Sequence, residues 1–195
     1  MSKLNSSFRR PGIKRRYAKI IAIACEGKKT EPDYLSALGW RNDSLNVVKL
    51  RRRHKGNPLS VLDRAKNYVK NNTLHKDDEV WVVVDVDNWK VSELRDLISW
   101  RNANKKHFGV AISNPKFEYW LLLHFETGSG IRGVNSLKSR LNNHLPSYDK
   151  SIDINKLLPG ITDAIERASQ KDSPPTKTWP RTYGTTVHRL VKKLI

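Results

Sequence analysis

The chain reads as an α/β protein with a mostly parallel central sheet flanked by helices. Apolar runs of strand length alternate with segments whose apolar residues recur at helical spacing, the pattern of repeated βα units. The run from Glu79 to Asp85, Glu-Val-Trp-Val-Val-Val-Asp, is continuously apolar between its acids, as expected of a strand covered on both faces. At 195 residues, 37% of them hydrophobic, the chain can bury a substantial core but is too short for two full domains.

Residues 1–16 hold Arg9, Arg10, Lys14, Arg15 and Arg16 among Ser, Asn, Pro and Gly. That composition is too polar to fold alone, so a flexible basic arm is expected ahead of a single domain over 17–195. Tyr17 to Ala24 reads as the first buried strand. Thr30, with Pro32 at the first helical position and Asp33 in the first turn, opens a helix. Leu45 to Leu50 is the second strand, followed by a basic loop, 51–58, and a helix to about Asn71 in which Leu59, Leu62, Ala65, Tyr68 and Val69 share a face. Glu79 to Asp85 is the central strand. A helix over 91–105, with Ser92 as candidate cap, leads to a strand from Phe108 to Ile112. From about residue 126 a helical extension is expected: Val134 to His144, Asn155 to Gln170, a Ser173-Pro174-Pro175 connector and a closing helix from Thr185 to Ile195. There is no internal repeat.

Lys and Arg number 37 against 19 Asp and Glu, a net charge of +18. Such an excess favours polyanionic partners, nucleic acid before an anionic membrane surface. The single cysteine, Cys25, excludes an internal disulfide and a zinc ribbon of paired cysteines, which suggests a reducing compartment. No apolar run approaches the roughly 20 residues that cross a bilayer, and the polar start has no signal-peptide core, so a cytoplasmic protein without a membrane partner is expected. The six tryptophans can stack bases, although packing is the commoner role.

Parallel strands joined by right-handed crossovers point the same way, so their carboxyl ends line one edge of the sheet. Glu26 follows the first strand, Asp85 and Asp87 end the central one, and Asn114 and Glu118 follow the next. Residues two apart on a strand face the same side, so Asp85 and Asp87 project together if the extended backbone persists. Adjacent carboxylates repel unless a cation lies between them, and Mg²⁺ (or Mn²⁺) bound by such acids and a substrate phosphate is an economical explanation. The alternative is that Asp87-Asn88 makes a plain turn. Gly27 lets the backbone approach a phosphate that Lys28 and Lys29 can neutralise. Glu31, in the first helical turn, suits the helix dipole and ranks below Glu26 as a ligand. The segment is no Walker A loop, because the glycine four residues before Gly-Lys-[Ser/Thr] is missing.

Phe117, Trp120, Leu121, His124 and Phe125 mark one apolar stripe, so this block is mostly core. Glu118 is either a further acid of the edge or a dipole-compensating residue. His124 favours a hydrogen-bonded packing role over catalysis, and Asn114 serves either a turn or the orientation of substrate. Arg51, Arg52, Arg53, His54 and Lys55 leave the second strand at the acidic edge. Lys177 and Arg181, with Thr185 and Thr186, flank a helix start whose amides can hold phosphate. Each of these basic runs is a candidate nucleic-acid contact.

The blocks Cys25-Glu26-Gly27 with Thr30-Glu31-Pro32 and Tyr34, Asp85-Val86-Asp87, Ser113-Asn114-Pro115 with Phe117-Glu118 and Trp120 to Phe125, and Gly184-Thr185-Thr186 resemble the RloB-like family. The resemblance spans nearly the whole folded chain. It implies a Toprim-like fold, with Glu26 matching the Toprim glutamate and Asp85 and Asp87 its D-x-D pair. It also implies a setting in bacterial restriction or abortive infection, an AAA-type ATPase partner, and nuclease activity of the kind that related effectors direct at tRNA.

The expectation is therefore a Mg²⁺-dependent nuclease with catalytic acids Glu26, Asp85, Asp87 and Glu118, the first three holding metal, and RNA favoured over DNA. Glu31, Asn114 and His124 would support them. The alternative is a non-catalytic basic adaptor working with an ATPase. Primase or topoisomerase activity is disfavoured, since a zinc-binding cysteine set and a strand-passage domain are missing.

Overall fold

The computed structural model describes residues 18–51, 59–146, 148 and 151–195. The expected basic arm and the loop residues Arg52, Arg53, His54 and Lys55 lie outside the described residues, as does Tyr17. Among the described residues, five strands form one sheet in the order β2-β1-β3-β4-β5. They are β1 (Lys19–Cys25), β2 (Leu45–Lys49), β3 (Glu79–Asp85), β4 (Phe108–Asn114) and β5 (Gly184–Thr185). The first four are mutually parallel, and β5 is antiparallel to β4. The helices are α1 (Thr30–Gly39), α2 (Leu59–Asn71), α3 (Val91–Ala103), α4 (Phe117–Leu122), α5 (Val134–His144), α6 (Ile154–Leu157), α7 (Ile161–Lys171) and α8 (Val187–Leu194).

Period-two alternation divides the sheet into two buried faces. Ile21, Ile23, Cys25, Trp81, Val83 and Ala111 pack on the side of α1, α4, α5, α7 and α8. Ala22, Ala24, Val80, Val82, Val84, Val110 and Ile112 pack under α2 and α3. The ring of Trp81 lies across the backbone of its β4 partner Gly109, where a Cβ would stand 2.2 Å from the indole. At the amino edge, burial pushes the Glu79 carboxyl up, but bonds from Lys19 (2.6 Å), Lys193 (2.8 Å) and Trp81 Nε1 (2.9 Å) outweigh it and hold the group below its ordinary range.

Several sequence expectations are corrected. Ser92 is not the cap of α3: Lys90 is, and its amide donates to the Glu93 carboxylate at 2.8 Å. The single helix expected over Asn155 to Gln170 is broken into α6, a 3-10 turn at Leu158–Gly160 and α7. Pro159 cannot continue the hydrogen-bond ladder, and Gly160 sits where a Cβ would meet the His124 carbonyl oxygen at 2.1 Å. Thr185 does not start the closing helix. Gly184 and Thr185 form β5, and α8 begins at Val187. The segment after residue 126 joins the main core through Leu137, Leu141, Leu157, Ala164, Ala168, Leu190 and Leu194.

Of the tryptophans, Trp81, Trp89, Trp120 and Trp179 are buried, Trp100 stacks on Phe108, and Trp40 alone among the described residues is largely exposed. Packing therefore explains most of them.

Candidate functional site

The chain runs from β1 through α1 to β2 on one side and returns through α2 to β3 on the other. The carboxyl ends of β1 and β3 thus flank the point where strand order reverses, the place at which open α/β sheets form a crevice. Glu26 and Asp85 occupy it. The Glu26 amide donates to Val83 O at 2.9 Å, continuing the β1–β3 ladder by one residue. Its Oε2 accepts from Trp89 Nε1 at 2.8 Å and from the Asp85 amide at 3.3 Å, which fixes the carboxylate against the end of β3.

Arg64, which the sequence reading did not single out, braces this edge from behind. Its guanidinium donates to Cys25 O at 2.6 Å and to Leu50 O, tying the ends of β1 and β2 to α2, and its Nε reaches Ser60 O at 3.3 Å. Long-range placement alone reveals such a role, because an arginine on a helix face is otherwise an ordinary surface residue.

A cleft of about 330 Å³ opens at this edge, lined by Glu26, Gly27, Lys28, Lys29, Thr30, Glu31, Asp85, Lys116, Phe117 and Glu118. Glu31 is buried and accepts from the Gly27 amide at 3.2 Å, so it turns back over the loop and does more than face the helix dipole. Glycine at 27 leaves the room that this carboxylate fills, since a Cβ there would stand 1.9 Å from Glu31 Oε2. Glu118 accepts from the Tyr148 hydroxyl at 3.3 Å, which lies 3.4 Å from Thr30 Oγ1. Burial, and then the Glu118 charge, push the Tyr148 hydroxyl well up, so it stays a donor.

Asp85 is the electrostatic centre. Burial first, then the charges of Glu31, Glu118, Glu26 and Asp87, push its carboxyl well above the ordinary range. The backbone leaves the extended conformation just after it, entering a 3-10 turn at Val86–Asn88. The premise for a parallel Asp85–Asp87 pair therefore fails: Asp87 meets Lys116 at 2.8 Å. The hydrogen bond that the Lys116 ammonium donates to Asp87 in turn raises the Lys116 ammonium above its ordinary range. Lys116 was another residue the sequence reading missed; its place in the loop that follows β4 was the available signal.

The other candidates divide. Lys28 and Lys29 are exposed at the cleft rim, and Arg51 is exposed beyond β2. His124 is buried away from the cleft, its Nε2 2.8 Å from the Tyr34 hydroxyl and its Nδ1 3.1 Å from Trp120 O. Burial lowers it to about 4, consistent with packing. The Asn114 amide donates to Pro180 O at 2.9 Å and anchors the 172–183 loop. Arg181 lies over the Trp179 ring at 4.3 Å and lines a separate cleft of about 180 Å³ beside β5. Lys177 is exposed, and its carbonyl accepts from Arg101 at 2.7 Å. Thr185 and Thr186 are buried, with their hydroxyls bonded to Ser113 Oγ and the Ile112 amide. Those two threonines tie β5 to β4.

The donor set is one of hard oxygen ligands. Among the described residues, no hydrogen-bond donor reaches the Asp85 carboxylate, four further carboxylates act on it, and the Lys116 ammonium, itself bound to Asp87, acts on it only through space. A divalent cation that prefers oxygen fits that field. Among the described residues, no three acidic, histidine or cysteine side chains already converge as a ligand set, so binding would require side chains to regroup.

Sheet and cleft together define the class, an α/β protein with an acidic site at the switch point of a parallel sheet. Within that class the chain belongs to the RloB-like protein family, whose model matches residues 21–194. The match runs from inside β1 to the end of α8 and so includes every element that frames the cleft. Comparison with curated proteins and with solved structures returns no match.

Proposed function

We propose that this chain is a divalent-metal-dependent nuclease, cleaving phosphodiesters of RNA in preference to DNA, with tRNA the first substrate to try. The observation that carries this reading is the Asp85 carboxyl, half-buried at the switch point and destabilised as an anion first by desolvation and then by Glu31, Glu118, Glu26 and Asp87. Structural acids are ordinarily paired with cations or amides, and a centre whose middle acid has only the through-space charge of Lys116, itself bound to Asp87, against four other carboxylates is suited to a cation from outside. Glu26, Asp85 and Asp87 would hold Mg²⁺ or Mn²⁺, with Glu118 as a further acid of the site. When bound, the metal would supply Lewis-acid polarisation of a phosphoryl oxygen and offset its charge.

The chain's own residues do the rest. Trp89 and the Asp85 amide hold Glu26 in one orientation. Tyr148 does the same for Glu118. Lys28 and Lys29, exposed on the rim, would seat the flanking phosphates, and the net charge of +18 would draw a polyanion to the surface. The family resemblance adds a proposed setting in bacterial anti-phage defence beside an AAA-type ATPase.

The test is cleavage of RNA, tRNA and DNA in Mg²⁺ or Mn²⁺, with the chain alone and with an ATPase encoded beside it. Asp85→Ala should lower cleavage by at least about 100-fold, the scale of losing a transition-state electrostatic contact. Equal cleavage by that variant would remove the centre.

The Asp87–Lys116 ion pair favours a second reading, a basic adaptor whose acids are structural. It predicts salt-sensitive nucleic-acid binding that survives loss of Glu26, Asp85 and Asp87.

A further inference from the structure

Besides Lys28 and Lys29 on the exposed rim, Lys116 brings a positive charge into a cleft lined by the carboxylates of Glu26, Glu31, Asp85 and Glu118. Its backbone is fixed at both ends: Ser113 and Asn114 pair with Thr185 and Gly184 in β5, and Lys116 O accepts the Tyr119 amide at 2.9 Å as α4 begins. The ammonium lies 2.8 Å from Asp87 Oδ2, with side chains 32% and 26% exposed. Lys116 also lines the cleft together with Glu26, Asp85 and Glu118. An ion pair this exposed contributes about 1 kcal/mol or less to stability, so its placement matters more for the charge balance of the cleft than for the fold. In the metal-free protein it offsets part of the repulsion among the acids. A divalent cation drawing on the same acids would compete with it for Asp87.

We infer that Lys116 is a resident counter-ion, which holds Asp87 in the metal-free protein and yields it to the incoming divalent cation. This rests on the metal-dependent reading of the cleft. Metal binding is then an exchange of cations, weaker than the acids alone would give, and occupancy of the site follows the divalent concentration.

The experiment is titration of the full-length, EDTA-treated and desalted protein with Mn²⁺ alone, followed by calorimetry. Lys116→Met should bind Mn²⁺ roughly three- to tenfold more tightly, the scale of one half-exposed charge interaction. Lys116→Arg keeps the charge and should stay within about twofold of the parent protein. In an Asp87→Asn background, Lys116→Met should lose most of its effect, since the partner is gone. An unchanged or weaker affinity for Lys116→Met overturns the inference, as does the same tightening in the Asp87→Asn background. Asp85→Ala separates the two levels. If it abolishes Mn²⁺ binding, the metal reading stands whatever Lys116→Met does; if it binds as the parent does, both fall. Binding seen in Lys116→Met but not in the parent supports the exchange, and no binding in any variant overturns both readings.

Discussion

Replacing Arg64 by Met should destabilise the protein by about 3 kcal/mol, through the ends of β1 and β2 that it holds. The value follows from three of its hydrogen bonds. The bond to the carbonyl of buried Cys25, at 2.6 Å, is charge-assisted, and losing it costs about 1.5–3 kcal/mol. The bond to Leu50 O lies at a half-buried strand end and contributes about 1 kcal/mol. The bond to Ser60 O, at 3.3 Å within α2, adds little because water or the helix can replace it. For a domain of this size, about 3 kcal/mol corresponds to a fall of roughly 6–12 °C in Tm. Urea unfolding should show a lower midpoint with an unchanged slope, since the same surface is exposed on unfolding. Arg64→Lys keeps the charge but loses the two-pronged reach, and should recover less than half of the loss. A loss below about 1 kcal/mol for Arg64→Met would refute the claim that this side chain clamps the two strand ends.

Two further outcomes concern titration. In the metal-free protein, the raised Asp85 carboxyl means that its contribution is fully present below the ordinary carboxylate range and is lost as pH rises through the elevated folded value. Asp85→Asn should therefore be more stable than the parent at neutral pH in EDTA while lacking metal-dependent cleavage; a thermal melt series that finds it equally or less stable would contradict the electrostatic picture. His124 shifts in the opposite sense: with a folded value of about 4 against 6.5, its contribution is complete above about 6.5 and drains away as pH falls toward 4. At about 1.4 kcal/mol per pH unit, that window amounts to about 3 kcal/mol. His124→Phe should flatten the pH–stability profile across it, and an unaltered slope would show that the buried imidazole is not its source.

The sheet edge was legible because it depends on local signals. A continuous apolar run that stops at an acid, as at Val80 to Asp85, marks a buried strand and its end without any knowledge of its neighbours. Glu26 was found the same way, and the structure brings it to within hydrogen-bond reach of the Asp85 amide. Glu31 was harder to place. Its position in a first helical turn predicts a solvated carboxylate, and it is the glycine at 27 that lets it fold inward. The two-residue β5 gave no periodic signal at all, since its pairing is defined by Ser113 and Asn114 some seventy residues away.

The amino-acid sequence by itself determined the fold class, the order of strands and helices before residue 126, and the acids that end β1 and β3, because apolar period and helix-start chemistry act over a few neighbouring residues. Only the tertiary structure decided that Asp87 turns to Lys116, that Glu31 joins the cleft, that Arg64 clamps two strand ends and that His124 is locked against Tyr34. Those are contacts between residues distant in the chain, where burial and through-space charge choose the partner and no local pattern records the choice.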